Sequence, residues 1–377
     1  MSLTAAIEDL RLVDQHVHSV LPGALARPEF EAFLTESDRP SPPGTTQFDS
    51  QLGFALRRWC GPLLGLNPAA TPDAYVARRN ELPGTELPAR LLSAAGCAAL
   101  LVDTGFAAPG SISLAGLAEL SGADVREVVR LETVAEELAA GGCTAEGFAA
   151  DYRDRLAERT ADAVAVKSII AYRHGLDFEP TRPDRREVVA AAGAWLKSGQ
   201  SRLTDPVLLR ELLWAGVDRG LPVQLHTGFG DPDLDLRRAD PLLAMDFLAS
   251  LSGAGAQIVL LHCYPFHRGG AFLAQVYPHV YLDLGLTINY AGARAAAVLA
   301  EALELAPFAK VLYSSDAYGL PELVYLGARL WRHAMAEVLG GWISAGHWVE
   351  ADAIRVARLI GTGNAARLYS LPGLASQ

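Results

Sequence analysis

Leu12-Val13-Asp14-Gln15-His16-Val17-His18-Ser19 is an apolar run near the N-terminus that closes on two histidines one residue apart. On a β-strand successive side chains alternate faces, so His16 and His18 point one way and Val17 the other. Two imidazoles on one face can share a metal ion, although a lone His-x-His is more often an ordinary polar feature of a strand end. Its weight comes from downstream, where Lys167, His226, His262 and Asp316 each close a short apolar run of their own. Five separate strand ends then carry metal-compatible groups.

Seven further runs follow the first: Ala98–Phe106, Val125–Glu132, Ala163–Ala171, Pro222–Phe229, Gln257–Pro265, Val280–Thr287 and Val311–Tyr318. Between them lie Ala-, Glu- and Arg-rich stretches with apolar residues at helical spacing, among them Arg185–Trp195, Pro206–Arg219 and Gly292–Leu305. Strands that are apolar throughout and alternate with helices belong to a buried parallel sheet, and eight such units predict an α/β fold of the TIM (β/α)8 barrel type. Such a barrel sets its catalytic groups at the C-terminal strand ends, where the candidate ligands stand. A doubly wound open sheet is the second choice, because no G-x-G-x-x-G follows an early strand. Residues 21–90 break the rhythm with many prolines and short helical pieces at Phe48–Trp59 and Asp73–Asn80. They read as a helical insertion after the first strand of a single barrel domain spanning 1–377. Its role is either a cap over an active site, carrying Arg57 and Arg58, or a subdomain that only packs.

Of the 377 residues half are hydrophobic, the net charge is −11, the pI is 5.3 and the mean hydropathy +0.18. A large core is expected. The acidic balance and the lack of a dense Lys/Arg run argue against a nucleic-acid or anionic-membrane partner, and leave a small-molecule substrate. Room remains for a homo-oligomer. Cys60, Cys97, Cys143 and Cys263 are scattered without a C-x-x-C pair, which fits a reducing cytoplasm and neither a disulfide framework nor a structural zinc knot. No leader pattern and no uncharged apolar run of the ~18 residues that span a bilayer is present, so a cytoplasmic protein is expected.

Imidazole nitrogen and carboxylate oxygen are the ligands that zinc and similar divalent ions take at catalytic sites. His226 and His262 close successive runs, and Asp316 is either a helix cap or a ligand that doubles as proton acceptor. Lys167 sets a cation inside an apolar strand, where burial is costly. It either snorkels to pair with Asp103 or Glu132, or reacts with carbon dioxide to give an anionic carbamate that bridges two metals.

In that order the set His16-x-His18, Lys167, His226, His262, Asp316 resembles the amidohydrolase superfamily of metal-dependent TIM-barrel hydrolases. Val166-Lys-Ser-Ile-Ile-Ala-Tyr-Arg173, His226-Thr-Gly-Phe-Gly-Asp-Pro-Asp-Leu-Asp-Leu-Arg237 and Val280-Tyr-Leu-Asp-Leu-Gly285 are similar to the amidohydrolase domain found alone or fused to a glutamine-synthetase-like domain in nodulin-type proteins. Gly363-Asn-Ala-Ala-Arg-Leu-Tyr369 is similar to the closing helix of the amidohydrolase-2 branch. The sequence ends at Gln377, so a synthetase-like half is not expected here. The resemblance implies that His16 and His18 hold one metal and His226 and His262 a second, with carbamylated Lys167 between them and Asp316 on the first. Zinc is the expected ion, as one or two per chain, and Asp316 and His262 are the expected catalytic groups. Arg173, His174, Arg237, Tyr264, His267 and Tyr318 follow the runs closely enough to meet substrate. The leading expectation is a hydrolase that cleaves a C–N amide bond in a small, carboxylate-bearing substrate by metal-activated water. The alternatives are a non-oxidative decarboxylase or lyase using a single metal, with His262 as acid/base, and a barrel that only binds.

Overall fold

Seven of the eight expected runs form β-strands in the computed structural model: β1 Leu12–Val17, β2 Cys97–Asp103, β3 Asp124–Arg130, β4 Ala165–Ser168, β5 Val223–Thr227, β6 Ile258–His262 and β7 Val280–Leu282. The structure describes residues 2–374. β1, β2, β4, β5 and β6 are buried along their whole length, as their apolar composition requires. The chain divides into two units, one of Met1–Val102, Phe106–Arg126 and Leu284–Gln377, the other of Asp103–Gly105 and Glu127–Asp283.

In the first unit β1 pairs with β2 in parallel, Val13 opposite Ala99 and Val17 opposite Val102. Between these strands lie helices Arg27–Ala32, Gln51–Trp59, Pro72–Asn80 and Glu86–Ala95. Two of the four starts carry side-chain caps: Ser50 Oγ accepts from the Gly53 N–H, and Thr71 Oγ1 accepts from the Ala74 N–H ahead of Pro72. Arg79 from this segment forms an ion pair with Glu322 at 2.7 Å, both side chains wholly buried. Arg57 donates to the Ala70 carbonyl and lies over Phe54, and Arg58 lies over Trp59.

The eighth run departs from expectation. Val311–Tyr318 lies along β1, with the Gln15 N–H donating to the Tyr313 carbonyl, the Asp316 N–H to His16 and the His18 N–H to Ala317. It is no regular strand, for two local reasons. The buried Asp14 carboxylate takes the Ser315 N–H at 2.8 Å, and Asp316 adopts φ +49°. Further buried polar groups of β1 fix the C-terminal part: Gln15 Oε1 accepts from the Tyr369 hydroxyl.

In the second unit the ladders β3–β4, β4–β5, β5–β6 and β6–β7 are all parallel, and Lys167 stands opposite Arg130 on one side and Gln224 on the other. Helices Leu131–Gly141, Phe148–Arg159, Arg185–Ser198 and Pro206–Asp218 intervene. Asp184 with Glu187, and Asp205 ahead of Pro206, cap the last two. All four cysteines are free thiols. Among the described residues no helix is long and apolar enough to cross a membrane.

Candidate metal centre

In the first unit His16, His18 and Asp316 come together. One carboxylate oxygen, Asp316 Oδ1, lies 3.0 Å from His16 Nε2 and 3.5 Å from His18 Nε2. β1 supplies His16, and His18 follows directly on its end with the same facing, while the left-handed backbone of Asp316 turns the carboxylate toward them. For a non-glycine residue that conformation costs on the order of 1–3 kcal/mol, and it recurs where a site over-determines the backbone. The side chains are 0%, 9% and 11% exposed. The donor set suits a divalent ion. In a tetrahedral site with zinc–ligand bonds of about 2.0–2.1 Å, neighbouring ligand atoms stand roughly 3.3 Å apart, and the observed separations bracket that value.

Aromatic rings surround His18. Phe106 and Tyr318 meet it edge-on at centroid distances of 5.7 and 5.9 Å, and stack on each other at 4.6 Å. Phe33 leans on Tyr318 at 5.6 Å. Tyr318 is half-buried, and burial raises its pKa from the ordinary phenol value.

In the second unit Lys167, His226 and His262 stand on three successive strands. The His226 and His262 rings lie 4.8 Å apart. His262 holds φ +67° and donates its backbone N–H to Asp283 Oδ1 at 2.7 Å, so the carboxylate that follows β7 fixes the backbone of the histidine closing β6. Tyr172 packs on His226 at 4.5 Å, and the fit requires glycine at 230, where a Cβ would lie 1.9 Å from the Tyr172 hydroxyl. Lys167 is 2% exposed. Asp103 receives Arg130 at 2.6 Å, and Glu132 Oε1 accepts from Ser168 Oγ and the Ile169 N–H. Burial raises the Glu132 pKa above the usual glutamate value, against the pull of those donors.

The expected substrate groups are placed unevenly. Arg173 is largely buried and paired with Glu136 at 3.1 Å; burial lowers its pKa. His174 is half-buried, with its pKa lowered by burial and by Arg238. Arg237 is 89% exposed and bound to its neighbour Asp235. Tyr264 stacks on the buried His267 at 5.5 Å. Sequence reasoning passed over Phe33, Phe106 and Asp283. Asp283 directly follows the strand Val280–Leu282, inside a run expected to continue to Thr287, and the two phenylalanines carry no comparable mark.

The chain matches the family model Amidohydro_2, described as amidohydrolase, over residues 117–371. Protein fluG of Emericella nidulans is 33% identical over 243 residues, 60% of this chain and 28% of that protein, so the chain spans little more than a quarter of that relative's length. A solved structure from Lactobacillus casei, provisionally described as a metal-dependent hydrolase, is similar with a TM-score of 0.84 and 28% identity, covering 98% of this chain and 97% of that one. Glucuronate isomerase from Caulobacter crescentus shares the fold, with a TM-score of 0.67 and 16% identity over 98% of this chain and 93% of its own.

Proposed function

The chain belongs to the amidohydrolase family, and on that premise we propose that it is a metal-dependent hydrolase that cleaves a C–N amide bond in a small, carboxylate-bearing substrate. The observation that carries the reading is the meeting of two imidazole nitrogens on one oxygen of Asp316 at 3.0 and 3.5 Å. A divalent ion, with zinc the best match to these donors, supplies a Lewis acid and makes water nucleophilic near neutral pH.

His16 and His18 would hold such an ion through their imidazoles and Asp316 through its carboxylate. Asp316 Oδ2 accepts the proton of the attacking water and delivers it to the leaving nitrogen, while the acyl carbon gains the water oxygen and loses the amine. In the second unit His226 and His262 are the ligands assigned to a second ion, with Lys167 as its carbamate. In that modification the ammonium first gives up one proton, the neutral amine adds to carbon dioxide as an N–C bond forms, and a second proton leaves. A buried cation becomes an anion that a metal can bind. Of the two arginines weighed for the substrate carboxylate, Arg173 suits the role better, because a largely buried guanidinium binds an anion with less competition from water.

The test is a panel of N-acyl and γ-glutamyl amides, run beside aromatic carboxylic acids, on protein whose metal content has been measured. Amine release from the amides is the expected result. Carbon dioxide release from the acids with every amide intact overturns the hydrolase in favour of a lyase. Labelled bicarbonate gives a carbamate carbon signal that disappears in Lys167→Ala, and its absence from metal-loaded protein removes the carbamate.

A further inference from the structure

We propose that Phe33, Phe106 and Tyr318 form a wall that selects the acyl group of the substrate, favouring amides whose acyl portion is aromatic or otherwise flat and apolar. The proposal rests on the hydrolase reading and goes beyond it to the substrate class.

Three segments distant in sequence bring these rings to one metal-ligand candidate. Tyr318 stands two residues past Asp316. Phe106 follows β2 on a loop tied to the exit of β1: the Ile112 N–H donates to the Val20 carbonyl at 2.9 Å, and Ser19 Oγ donates to the Ile112 carbonyl. Phe33 ends the helix Arg27–Ala32, and its ring lies on the backbone of Gly319 so closely that a Cβ there would stand 2.2 Å from Phe33 Cε1. Gly319 also holds φ +73°. A side chain at 319 would therefore be strained and would collide with the ring, so this residue reserves the place that Phe33 fills.

A cluster that served only to pack His18 would be closed over. Phe106 instead leaves 46% of its surface open while its ring stacks on Tyr318 and meets His18 edge-on. Large apolar surface kept exposed beside a candidate reaction centre is disfavoured by the hydrophobic effect, and a ligand that covers it recovers that cost. With the acyl carbon held at the site of His16, His18 and Asp316, the proposal sets the substituent on that carbon against these rings. Offset or edge-on contact with two aromatic rings then rewards a flat acyl group over a methyl.

Two measurements test the wall. In the first, kcat/KM for N-benzoylglycine is divided by that for N-acetylglycine. The wild-type ratio is expected to be about tenfold or more, the size of discrimination that an apolar pocket gives, and Phe106→Ala and Phe33→Ala should each pull it toward one by raising KM for the benzoyl substrate. The second measures equilibrium binding of benzoate and acetate to metal-depleted protein by NMR titration, with no turnover required. Benzoate should bind more tightly, and Phe106→Ala should remove the difference. If neither amide is hydrolysed, the hydrolase reading fails and the benzoate titration alone decides the wall. If both amides turn over with a ratio that Phe106→Ala leaves in place, or if that variant loses metal and both activities together, the wall is overturned and the rings are packing for His18.

Discussion

Asp316 combines a left-handed backbone with a carboxylate set against two imidazoles, and each half of that arrangement has a separate consequence. Replacing it by asparagine keeps an oxygen for the metal but no proton acceptor. Asp316→Asn should therefore retain most of the bound metal and lose ~10²-fold or more in turnover, the size expected for a general acid/base. His16→Ala and His18→Ala should instead lose the ion assigned to the first unit while circular dichroism shows an unchanged fold; unaltered metal content in both sinks the assignment. Glu132 carries a pH dependence of its own. Burial raises its folded-state pKa above the ordinary 4.5, so the folded protein binds the proton more tightly than the unfolded chain. Its favourable contribution is complete below pH 4.5 and declines as pH rises through the higher folded value. Stability of wild type relative to Glu132→Gln, read from denaturant midpoints, should fall upward through that window; parallel curves contradict the shift. The histidine pair was legible because a period of two needs no tertiary information. Phe33 was not, since its position depends on a glycine 286 residues away in the chain, a separation that follows from the numbers 33 and 319.

The eighth run shows at the level of elements where apolar patterning stops. Val311–Tyr318 has the composition of a strand and lies beside β1, yet the Asp14 carboxylate captures the Ser315 N–H that a ladder would use. Binary pattern locates such a segment, whereas side-chain competition for backbone groups decides its regularity. The helix starts at Arg185 and Pro206 were legible for the opposite reason, because Asp184 and Asp205 act locally, whereas the helix expected from Phe48 begins only at Gln51, past its cap Ser50. The bond between Arg79 and Glu322 was not: both are charged residues on helices, and nothing in their spacing marks them for burial. It fastens the helix Pro72–Asn80 to the start of the helix Pro321–Ser344, which follows directly on the run bearing Asp316 and Tyr318. Arg79→Ala leaves Glu322 buried without its cation and should cost about 3–5 kcal/mol. The double change Arg79→Met with Glu322→Leu should cost much less. Chemical denaturation checks both, and a mild loss for the single variant would show that water enters to solvate the glutamate.

At the scale of the whole molecule the alternation of apolar runs and helical stretches was enough to predict a parallel α/β fold, since seven of eight runs are strands and every ladder described is parallel. The division into two units was not visible, because each is assembled from separate stretches of chain and no linker composition marks the borders. That assembly bears on the order of events during synthesis. The Asp14–Ser315 bond spans 301 residues, and the same pairing brings Asp316 to His16 and His18. A ribosome that has released the first strand must add most of the remaining chain before the carboxylate exists to join the histidines. Closing so long a loop is slow relative to local structure. With His226 and His262 replaced by alanine, nascent chains halted before residue 310 should accordingly bind zinc no better than a pair of histidines does, and tight uptake should begin only when residues 311–319 emerge. Metal capture at this site would then act as a clock that marks the moment the run 311–318 joins β1.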